Sequence, residues 1–384
     1  RADDLPVIES DGRLGDMTET EHNPTPPFVQ KDMRRAIPPR WLAALIITAV
    51  LLALSVYPGK WLSMQPVFAQ IFAPRGIWIV ISFLALIAST IVFAIRWHRN
   101  LPRRVSALFM AITMVATFAH VSIGWGDGLR VDPLKTVATP NKGYFGTDIT
   151  VMSLNSYNSG ASPVTIAKLA NSVGADIVML SETTKGTAKL VAQLMEKAGS
   201  PMQMFQSVPR TLRGSSRDYQ TILLVSVYFG TYEVNESITP DTSLGAVTVV
   251  PQNRDANFAY LPTIVAGHVY QPNLLHTGQW RHELKQMVDM CHGPQAENLI
   301  MAGDMNATPW HGGLADMGAC VDALAEKKSG SVGTWPTYLP RPLGVPIDHI
   351  FVSKSHWHTA GSTVADVSGT DHRAVLTRLT YSEM

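Results

Sequence analysis

The sequence has little charge and almost no cysteine for its length. Of its 384 residues, 16% are Asp, Glu, Lys or Arg, 46% are hydrophobic and only two are Cys. A charged fraction this low is unusual for a soluble enzyme. Two cysteines exclude the dense disulfide framework of small secreted domains. The chain also has no internal repeat, and it is longer than one domain usually needs.

The charge is missing mainly from three long apolar stretches in the first third of the chain. Residues 41–57, 76–95 and 105–123 contain no Asp, Glu, Lys or Arg. Each stretch is close to the roughly 20 residues that a helix needs to cross a bilayer. A helical hairpin in a globular core is the alternative, but three such stretches would need more surrounding core than this chain can supply. A cleaved signal peptide does not fit, because two stretches follow the first. We therefore predict three transmembrane helices within residues 41–125.

Lys and Arg residues near the helix ends predict the orientation, because cytoplasmic loops carry an excess of them. Four precede the first helix, two lie in the first connecting loop and four lie in the second: Lys31, Arg34, Arg35 and Arg40; Lys60 and Arg75; Arg96, Arg99, Arg103 and Arg104. This distribution places the N-terminus and the second loop in the cytoplasm. We expect a multi-pass protein of the cell membrane, embedded in the lipid bilayer, whose remaining chain is extracytoplasmic.

The segments around the apolar stretches differ in pattern. Residues 1–40 are polar and contain several Pro, which predicts a disordered cytoplasmic tail. Residues 126–147 contain Gly and Pro and predict a linker. Residues 148–384 alternate short runs rich in Val and Ile with amphipathic segments, which indicates an α/β domain with helices covering sheets. Strands are predicted at 149–154, 177–180, 221–226, 246–250, 263–267, 299–302, 347–352 and 374–379, and helices at 163–173, 184–198 and 279–291.

The cysteines and histidines of this last region leave two questions. Outside the cytoplasm Cys291 and Cys320 can form a disulfide, whereas in a reducing compartment they would be small buried side chains; the sequence leaves both open.

Nine of the twelve histidines lie between His268 and His372, which raises a zinc site as an alternative. We do not expect one, because the chain has no His-Glu-x-x-His or paired Cys pattern. The histidines flanking Trp357 are placed on a surface loop.

Polar side chains stand at the ends of several predicted strands. Asp304 and Asn306 follow an apolar run two residues apart, so they point the same way. A carboxylate beside an amide can activate a water and hold the oxygen that this water attacks. The other positions of this kind are Asn155, Glu182, His268, Asp371 and His372. Singly, each has a structural explanation as a turn residue, a first-turn acid or a core histidine. Their common setting favours an active site, because strand ends hold side chains rigidly while loops admit substrate.

Six short motifs carry a resemblance to a known family. They are Ser153-Leu154-Asn155, Leu180-Ser181-Glu182, Gly267-His268-Val269, Gly303-Asp304-Met305-Asn306, Ile347-Asp348-His349-Ile350 and Thr370-Asp371-His372-Arg373. In this order they resemble the endonuclease/exonuclease/phosphatase superfamily, from about Ile149 to Leu379. The resemblance implies an α/β (α+β) four-layer sandwich of two β-sheets flanked by helices, here preceded by three transmembrane helices.

The resemblance also implies roles around a metal ion. Glu182 matches the carboxylate that binds Mg²⁺ or Mn²⁺, and Asn155 sits where the family positions metal and phosphate. Asp371 is expected to be a second carboxylate on the metal side. Asp304 matches the residue that orients or deprotonates the attacking water, and Asn306 the one that holds the phosphate. Such an oxygen-rich site suits a hard cation.

Two histidines complete the implied site. His372 matches the histidine that contacts the scissile phosphate, and Asp348 would accept the other N–H of its ring. His268 matches the histidine with which some members protonate the leaving group. Two motifs depart from the family pattern: Gly-Asp-Met-Asn replaces the commoner Gly-Asp-Phe-Asn, and Gly-His-Val replaces Thr-His-Leu.

The expected activity is hydrolysis of a phosphate ester by a membrane-anchored, Mg²⁺-dependent enzyme at the outer membrane surface, with a phosphodiester or lipid phosphate as substrate. An extracellular nuclease is the alternative, so the expected partner is a lipid-linked or nucleic-acid phosphate ester. From residue 143 onward the chain has 16 Lys and Arg and 20 Asp and Glu, and this negative balance does not favour binding to the phosphate backbone of a nucleic acid.

A catalytically inactive binding protein on the same fold is a third possibility. Against it, every expected polar position is filled. No oligomeric state is predicted.

Overall fold

The computed structural model of the chain describes residues 37–134, 148–207, 210–211, 218–252 and 261–382. Residues 1–36 of the predicted tail and residues 135–147 of the predicted linker lie outside this part of the chain. The remaining described residues form a group of apolar helices followed by a β-sandwich, which we define as residues 148–382.

Three of the first five helices are long and apolar. They are α1 (Pro39–Val56), α4 (Arg75–His98) and α5 (Arg104–Gly124), and each is long and apolar enough to cross a membrane. They coincide with the three predicted stretches. Two short helices, α2 (Gly59–Leu62) and α3 (Phe68–Phe72), lie between α1 and α4. The sequence did not predict them, because one turn of helix is too short to show a period.

Short strands and four further helices build the sandwich. The strands are β1 (Asp148–Asn155), β2 (Ile177–Thr183), β3 (Met202–Gln206), β4 (Arg210–Thr211), β5 (Asp218–Ser226), β6 (Tyr232–Val234), β7 (Ala246–Pro251), β8 (Thr263–His268), β9 (Leu299–Asp304), β10 (Cys320–Asp322), β11 (Asp348–Ser353), β12 (Trp357–Ala365) and β13 (Ala374–Tyr381). The helices are α6 (Pro163–Val173), α7 (Lys185–Lys197), α8 (Thr277–Asp289) and α9 (Ala323–Glu326).

The strands form two mixed sheets that pack face to face. The first sheet has the order β12-β13-β1-β2-β5-β3, with β4 paired to β5, and the second has the order β10-β11-β9-β8-β7-β6. Apolar residues of both sheets, such as Val151 and Ile350, fill the space between them. Helices α6 and α7 cover the outer face of the first sheet, and α8 covers the outer face of the second. The predicted four-layer sandwich is therefore confirmed.

Local sequence signals explain where the covering helices start and stop. Ser162 caps α6 by accepting a hydrogen bond from the Thr165 amide, and Pro163 occupies the first turn, where no amide donor is needed. Gly174 ends the helix in the left-handed conformation that glycine adopts without strain. Thr184 caps α7 in the same way as Ser162 caps α6.

Each strand predicted from the sequence is present, but several others were missed. The strands β3, β4, β6 and β10 have two to five residues, too few to show an alternating pattern. The strand β12 corrects the expectation of a surface loop around His356 and His358. It begins at Trp357, whose side chain is fully buried, and it contains a register shift between Thr359 and Gly361. Its many small and polar residues gave no strand signal.

The segment between α1 and α4 packs against the sandwich. We call residues 57–74 the connector. Ala69 of the connector is fully buried in the cluster around α8, and its carbonyl oxygen lies 3.0 Å from Nε2 of His311. Trp310 Nε1 donates to the Phe72 carbonyl (3.0 Å), and the Gly312 amide donates to Ser63 Oγ (2.9 Å). The apolar helices are thus held to the chain that follows β9.

Cys291 and Cys320 form a disulfide, with their Cα atoms 5.5 Å apart. Cys291 follows α8 and Cys320 begins β10, and both side chains are buried. The bond therefore ties the covering helix to the edge of the second sheet, across 29 residues of sequence. Of the two alternatives that the sequence left open, the structure has the disulfide.

The disulfide gives a first prediction. Replacing both cysteines by Ala should lower the free energy of unfolding by about 2–4 kcal/mol, because the cross-link restricts the unfolded chain. Thermal unfolding of the full chain in detergent measures this loss, and wild-type protein treated with dithiothreitol should match the double variant. Two titratable thiols in the denatured, unreduced wild-type protein would contradict the bond.

Candidate active site

The polar residues predicted from the sequence meet at one edge of the sandwich. Strands β1 and β2 run parallel in the first sheet, and β8 and β9 run parallel in the second. Their carboxyl ends carry Asn155, Glu182, His268 and Asp304. Strands β13 and β11 run antiparallel to β1 and β9, so the chain entering them returns to the same edge. The topology therefore brings together residues that are far apart in sequence.

Asn155 links the two sheets at this edge. It is the last residue of β1 and is buried. Its Nδ2 donates to Asp304 Oδ2 (3.0 Å) and to Glu182 Oε1 (3.1 Å). Its Oδ1 accepts from the Tyr157 amide (3.0 Å). One amide group thus holds carboxylates from both sheets in a fixed relation.

Glu182 is held in an unusual backbone conformation. Its φ is +51°, in the left-handed region that side chains rarely adopt. Its Oε2 accepts from the amide of Asn158 (3.1 Å), which lies in a run of three left-handed residues with φ of 50°, 56° and 58°. Each such residue costs on the order of 1–3 kcal/mol, and strain of this kind clusters at functional sites. The side chain is half-buried and reaches the edge of the site.

Asp304 lies at the centre of the site. In the register of the second sheet it is directly opposite both His268 and Asp348, and all three are buried. Asp304 Oδ2 is 3.5 Å from His268 Nε2 and 3.8 Å from His372 Nε2. Burial, and then the charge of Asp348, raise the pKa of Asp304. Burial lowers the pKa of His268 even though the Asp304 charge opposes this effect.

His372 and Asp348 form a buried pair beside Asp304. His372 Nδ1 donates to Asp348 Oδ2 (2.9 Å), which leaves Nε2 directed at Asp304. Burial disfavours the charged ring, but the charge and hydrogen bond of Asp348 outweigh it and raise the pKa of His372 to about 9. Thr370 fixes the backbone, because its Oγ1 accepts from the His372 amide (3.0 Å) and donates to the Asn155 carbonyl (2.8 Å).

Asn306 and Asp371 lie at the rim of the site and are half-buried. The Asn306 amide donates to Asp304 Oδ1 (2.9 Å), and its side-chain Nδ2 donates to the Val269 carbonyl (3.0 Å). Like Glu182, Asn306 has a left-handed φ, of +46°. Asp371 Oδ2 accepts from Trp335 Nε1 (2.9 Å), and its Oδ1 is 4.0 Å from His372 Nε2. The eight predicted site residues therefore belong to one connected cluster.

The sequence of this region also matches a known family. Residues 152–372, more than half of the chain, match the profile of the Endonuclease/Exonuclease/phosphatase family. The chain belongs to this family. Its members are hydrolases that act on phosphate esters.

Solved structures of family members resemble the chain at low identity. An endonuclease/exonuclease/phosphatase from Beutenbergia cavernae has 18% identity and a TM-score of 0.47, covering 61% of this chain and 72% of its own. The human Nocturnin catalytic domain with bound sulfate has 15% identity and a TM-score of 0.43, covering 61% and 94%. Humanized TDP2 from D. rerio has 15% identity and a TM-score of 0.44, covering 61% and 100%. No curated protein sequence matches the chain.

The residues of this endonuclease/exonuclease/phosphatase site fit the divalent cation that the family uses. Ligand atoms of Asp304, Asp348 and His372 lie within 4.8 Å of one another. The donors at the site are mostly carboxylate oxygens, which suit Mg²⁺ or Mn²⁺ better than a soft metal. Among the described residues, Asp348 Oδ1 and Asp371 Oδ1 are buried without a hydrogen-bond partner. A buried acceptor without a partner is costly, and a cation would satisfy it.

The residues whose ligand atoms lie within 4.8 Å of one another are not the metal ligands that the resemblance implies. The implied ligands are Glu182, Asn155 and Asp371. The two sets border each other, because the Asn155 amide joins Glu182 to Asp304, and Asp371 lies beside His372. Carboxylates of both sets thus lie around one cation site, whereas the protonated ring of His372 has no lone pair for a cation.

Three residues contribute to the site although the sequence predicted no role for them. Thr370 stood in a quoted motif but received no role, although a hydroxyl two residues before a site histidine is a usable signal. Asn158 acts through its backbone amide, in a Tyr-Asn-Ser-Gly segment whose turn residues gave only a general loop signal. Trp335 comes from a loop that no motif marks, and only the fold brings its indole to Asp371.

The His372–Asp348 pair predicts how stability depends on pH. Because folding raises the pKa of His372 from about 6.5 to about 9, its contribution is complete below about pH 6.5 and is lost as pH rises through 9. At about 1.4 kcal/mol per pKa unit it is on the order of 3 kcal/mol. Asp348→Asn removes the charge, so the loss of stability between pH 6.5 and 9 should become smaller.

Thermal unfolding of the full chain in detergent with EDTA, from pH 6 to 9.5, measures this slope. Asp289→Asn is the matched control, because Asp289 is an exposed carboxylate paired with Lys285 on α8, and the slope should stay as in the wild type. An Asp348→Asn slope equal to that of the wild type would show that Asp348 does not set the charge of His372.

Proposed function

We propose that this protein is a divalent-metal-dependent phosphohydrolase, anchored in the membrane by α1, α4 and α5, that cleaves a phosphodiester or lipid phosphate at the outer surface. The observation that carries the proposal is the central position of Asp304. It accepts a hydrogen bond from Asn155 of the first sheet, and it faces the pair formed by Asp348 of the second sheet and His372 of the loop before β13. Attack of a water on a phosphate needs a general base and groups that stabilise the developing negative charge. Here a base, a fixed amide and a charged imidazole lie within a few ångströms of one another.

Asp304 would take the proton of the attacking water. Burial and Asp348 raise its pKa, which makes the carboxylate a stronger base than an exposed Asp. The amide of Asn306 donates to Asp304 Oδ1, which leaves Oδ2 facing the site. Asn306 lies at the rim, where its side chain would hold a phosphate oxygen.

His372 would bind the phosphate in its charged form. Its pKa near 9 keeps the ring protonated at neutral pH, and a buried cation offsets the negative charge that develops on the phosphate oxygens. Asp348 orients the ring, because it accepts from Nδ1 and leaves Nε2 free for the substrate.

Glu182, Asn155 and Asp371 would hold Mg²⁺ or Mn²⁺ next to this group. When bound, the cation polarises the phosphoryl group and offsets charge on the leaving oxygen. The contribution of the protein is the fixed placement of Glu182, by the left-handed backbone and by the hydrogen bonds from Asn155 and the Asn158 amide.

For His268 we propose a different role from the one that the resemblance implies. Burial lowers its pKa, so the ring is neutral near pH 7 and is a weak acid for a leaving group. It lies 3.5 Å from Asp304 Oδ2. We propose that the neutral ring orients Asp304, and that a water supplies the proton of the leaving group.

Two observations support a substrate in the membrane surface. The connector fixes the sandwich to the apolar helices, so the enzyme cannot move far from the bilayer. The loop that carries Trp335 also reaches α4, since Gly76 lies against the Pro342 carbonyl with no room for a Cβ. One loop therefore links the rim of the site to the start of α4. The negative net charge after residue 143 does not favour a nucleic acid.

The orientation of the protein in the membrane is also a proposal. The excess of Lys and Arg before α1 and between α4 and α5 supports a cytoplasmic N-terminus. The three helices then place the sandwich outside the cytoplasm, and a disulfide between Cys291 and Cys320 suits an oxidising compartment.

Replacing Asp304 tests the proposed function. In Asp304→Asn, Mg²⁺-dependent hydrolysis should fall by about 10²–10⁴-fold, because the amide cannot act as a general base. The measurement is phosphate-ester hydrolysis by the full chain in detergent or vesicles, over a panel of phospholipids, lipid phosphates, DNA and RNA, with and without EDTA. Asp289→Asn is the control and should retain wild-type activity.

Each result of the panel has a meaning. Cleavage of DNA or RNA alone would favour the nuclease alternative. No cleavage of any substrate by the wild type would favour a binding protein on this fold. Equal activity of Asp304→Asn and wild type would contradict the role given to Asp304.

A further inference from the structure

A second cavity lies where the apolar helices meet the sandwich. Its volume is about 290 Å³, and its walls come from the connector, the starts of α4 and of the chain after α5, and the loop after β9. Lys60, Arg75, Asp127 and Trp310 are among the lining residues. No residue of the candidate active site lines it, so it is a separate site.

Arg75 is a buried cation without a carboxylate partner. Its side chain is 1% exposed. Its guanidinium donates to the carbonyls of Ser55 (3.0 Å) and Val56 (2.7 Å) at the end of α1, and it lies 5.7 Å over the ring of Trp310. Among the described residues no Asp or Glu pairs with it, and its Nε has no hydrogen-bond partner. A buried charge without a counter-ion is expensive, so an anion in the cavity would stabilise it.

The other charged groups of the cavity favour the same ligand. Lys60 is exposed, and it forms no ion pair in the part of the chain that the structure describes. Asp127 contributes a carboxyl to the wall. Two cations and one carboxyl line the cavity, which gives it a positive net charge.

We propose that this cavity binds the phosphate group of a membrane phospholipid. The inference rests on the membrane anchoring in the proposed function, because Arg75 begins α4 and so lies where that helix leaves the bilayer, at the depth of lipid headgroups. A guanidinium binds phosphate oxygens in bidentate fashion. The cavity approaches the size of a small-ligand site. Its lining includes neither a His nor a second carboxyl, so the lipid is a ligand that holds the sandwich to the membrane and not a substrate.

Lipid binding by the full chain tests this proposal. The protein carries Asp304→Asn to prevent hydrolysis, is stripped of lipid in a neutral detergent, and is titrated with short-chain phosphatidylglycerol under native mass spectrometry. Lys60→Ala should weaken binding about tenfold, because it removes one cation from the site. Asp127→Asn should tighten binding about threefold, because it removes the opposing carboxyl. Arg104→Ala, which removes a cation at the other end of the helices, should leave the Kd unchanged.

The outcomes separate this inference from its alternatives. Unchanged affinity in both Lys60→Ala and Asp127→Asn would overturn it, as would equal loss in Lys60→Ala and Arg104→Ala. Arg75→Lys is a further variant, and if it folds by circular dichroism it should bind more weakly than wild type. Competition by inorganic phosphate would identify phosphate as the recognised group. Binding of inorganic phosphate without binding of lipid would show that the cavity binds a soluble anion, and it would contradict the proposal of a phospholipid ligand.

The proposed function and this inference fail separately. Lipid binding is measured in a variant without the catalytic carboxylate, so an inactive wild type would leave the binding result intact. In the same way, a wild type that hydrolyses the substrate panel but shows no Lys60-dependent binding would overturn only the inference about the cavity.

Discussion

The arrangement depends on one physical constraint, which is that buried carboxylates must be compensated. Asp304 and Asp348 are buried at the edge where the two sheets meet, and neither could remain ionised there alone. Asn155 compensates Asp304 from the first sheet, and the charged ring of His372 compensates both from the loop before β13. Because both carboxylates belong to the second sheet, while Asn155 ends a strand of the first sheet and His372 lies in the loop that enters one, the polar site also fixes how the sheets sit against each other.

The same constraint explains the strained backbone around the site. Glu182 and Asn158 both have left-handed backbone conformations where strands of the first sheet end. These conformations bring the Asn158 amide to the Glu182 carboxylate. The apolar core between the sheets stabilises the sandwich, and this stabilisation offsets the cost of the strained conformations. The site is therefore formed before any substrate arrives, which is how electrostatic stabilisation of a transition state becomes effective.

The apolar helices are part of this architecture through the connector. Backbone carbonyls of Ala69 and Phe72 lie against His311 and Trp310, a few residues after Asp304 and Asn306 along the same chain. The loop with Trp335 joins the rim of the site to α4. A substrate in the plane of the membrane surface would thus meet an active site that has a fixed orientation towards it.

Much of this could be predicted from the sequence, and the limits have physical causes. The long strands and helices were predicted because their apolar periods are strong, and Asn155, Glu182, Asp304 and His372 were found because motifs at strand ends mark them. The connector helices, β12 and Trp335 were not predicted. They are short, polar or unmarked by a motif, and only tertiary contacts decide their structure. Arg75 was counted as a loop charge, whereas the structure buries it at the first turn of α4.

The central claim is that a hard divalent cation binds at Glu182 of the first sheet, whose position is coupled to Asp304 of the second sheet through the amide of Asn155. Binding of Mn²⁺ to the full chain in detergent, followed by electron paramagnetic resonance, tests it without any substrate. The account predicts saturable binding that weakens about 10–100-fold in Glu182→Gln and in Asp304→Asn, and that stays unchanged in Asp289→Asn. Binding of equal strength in all four proteins would contradict it.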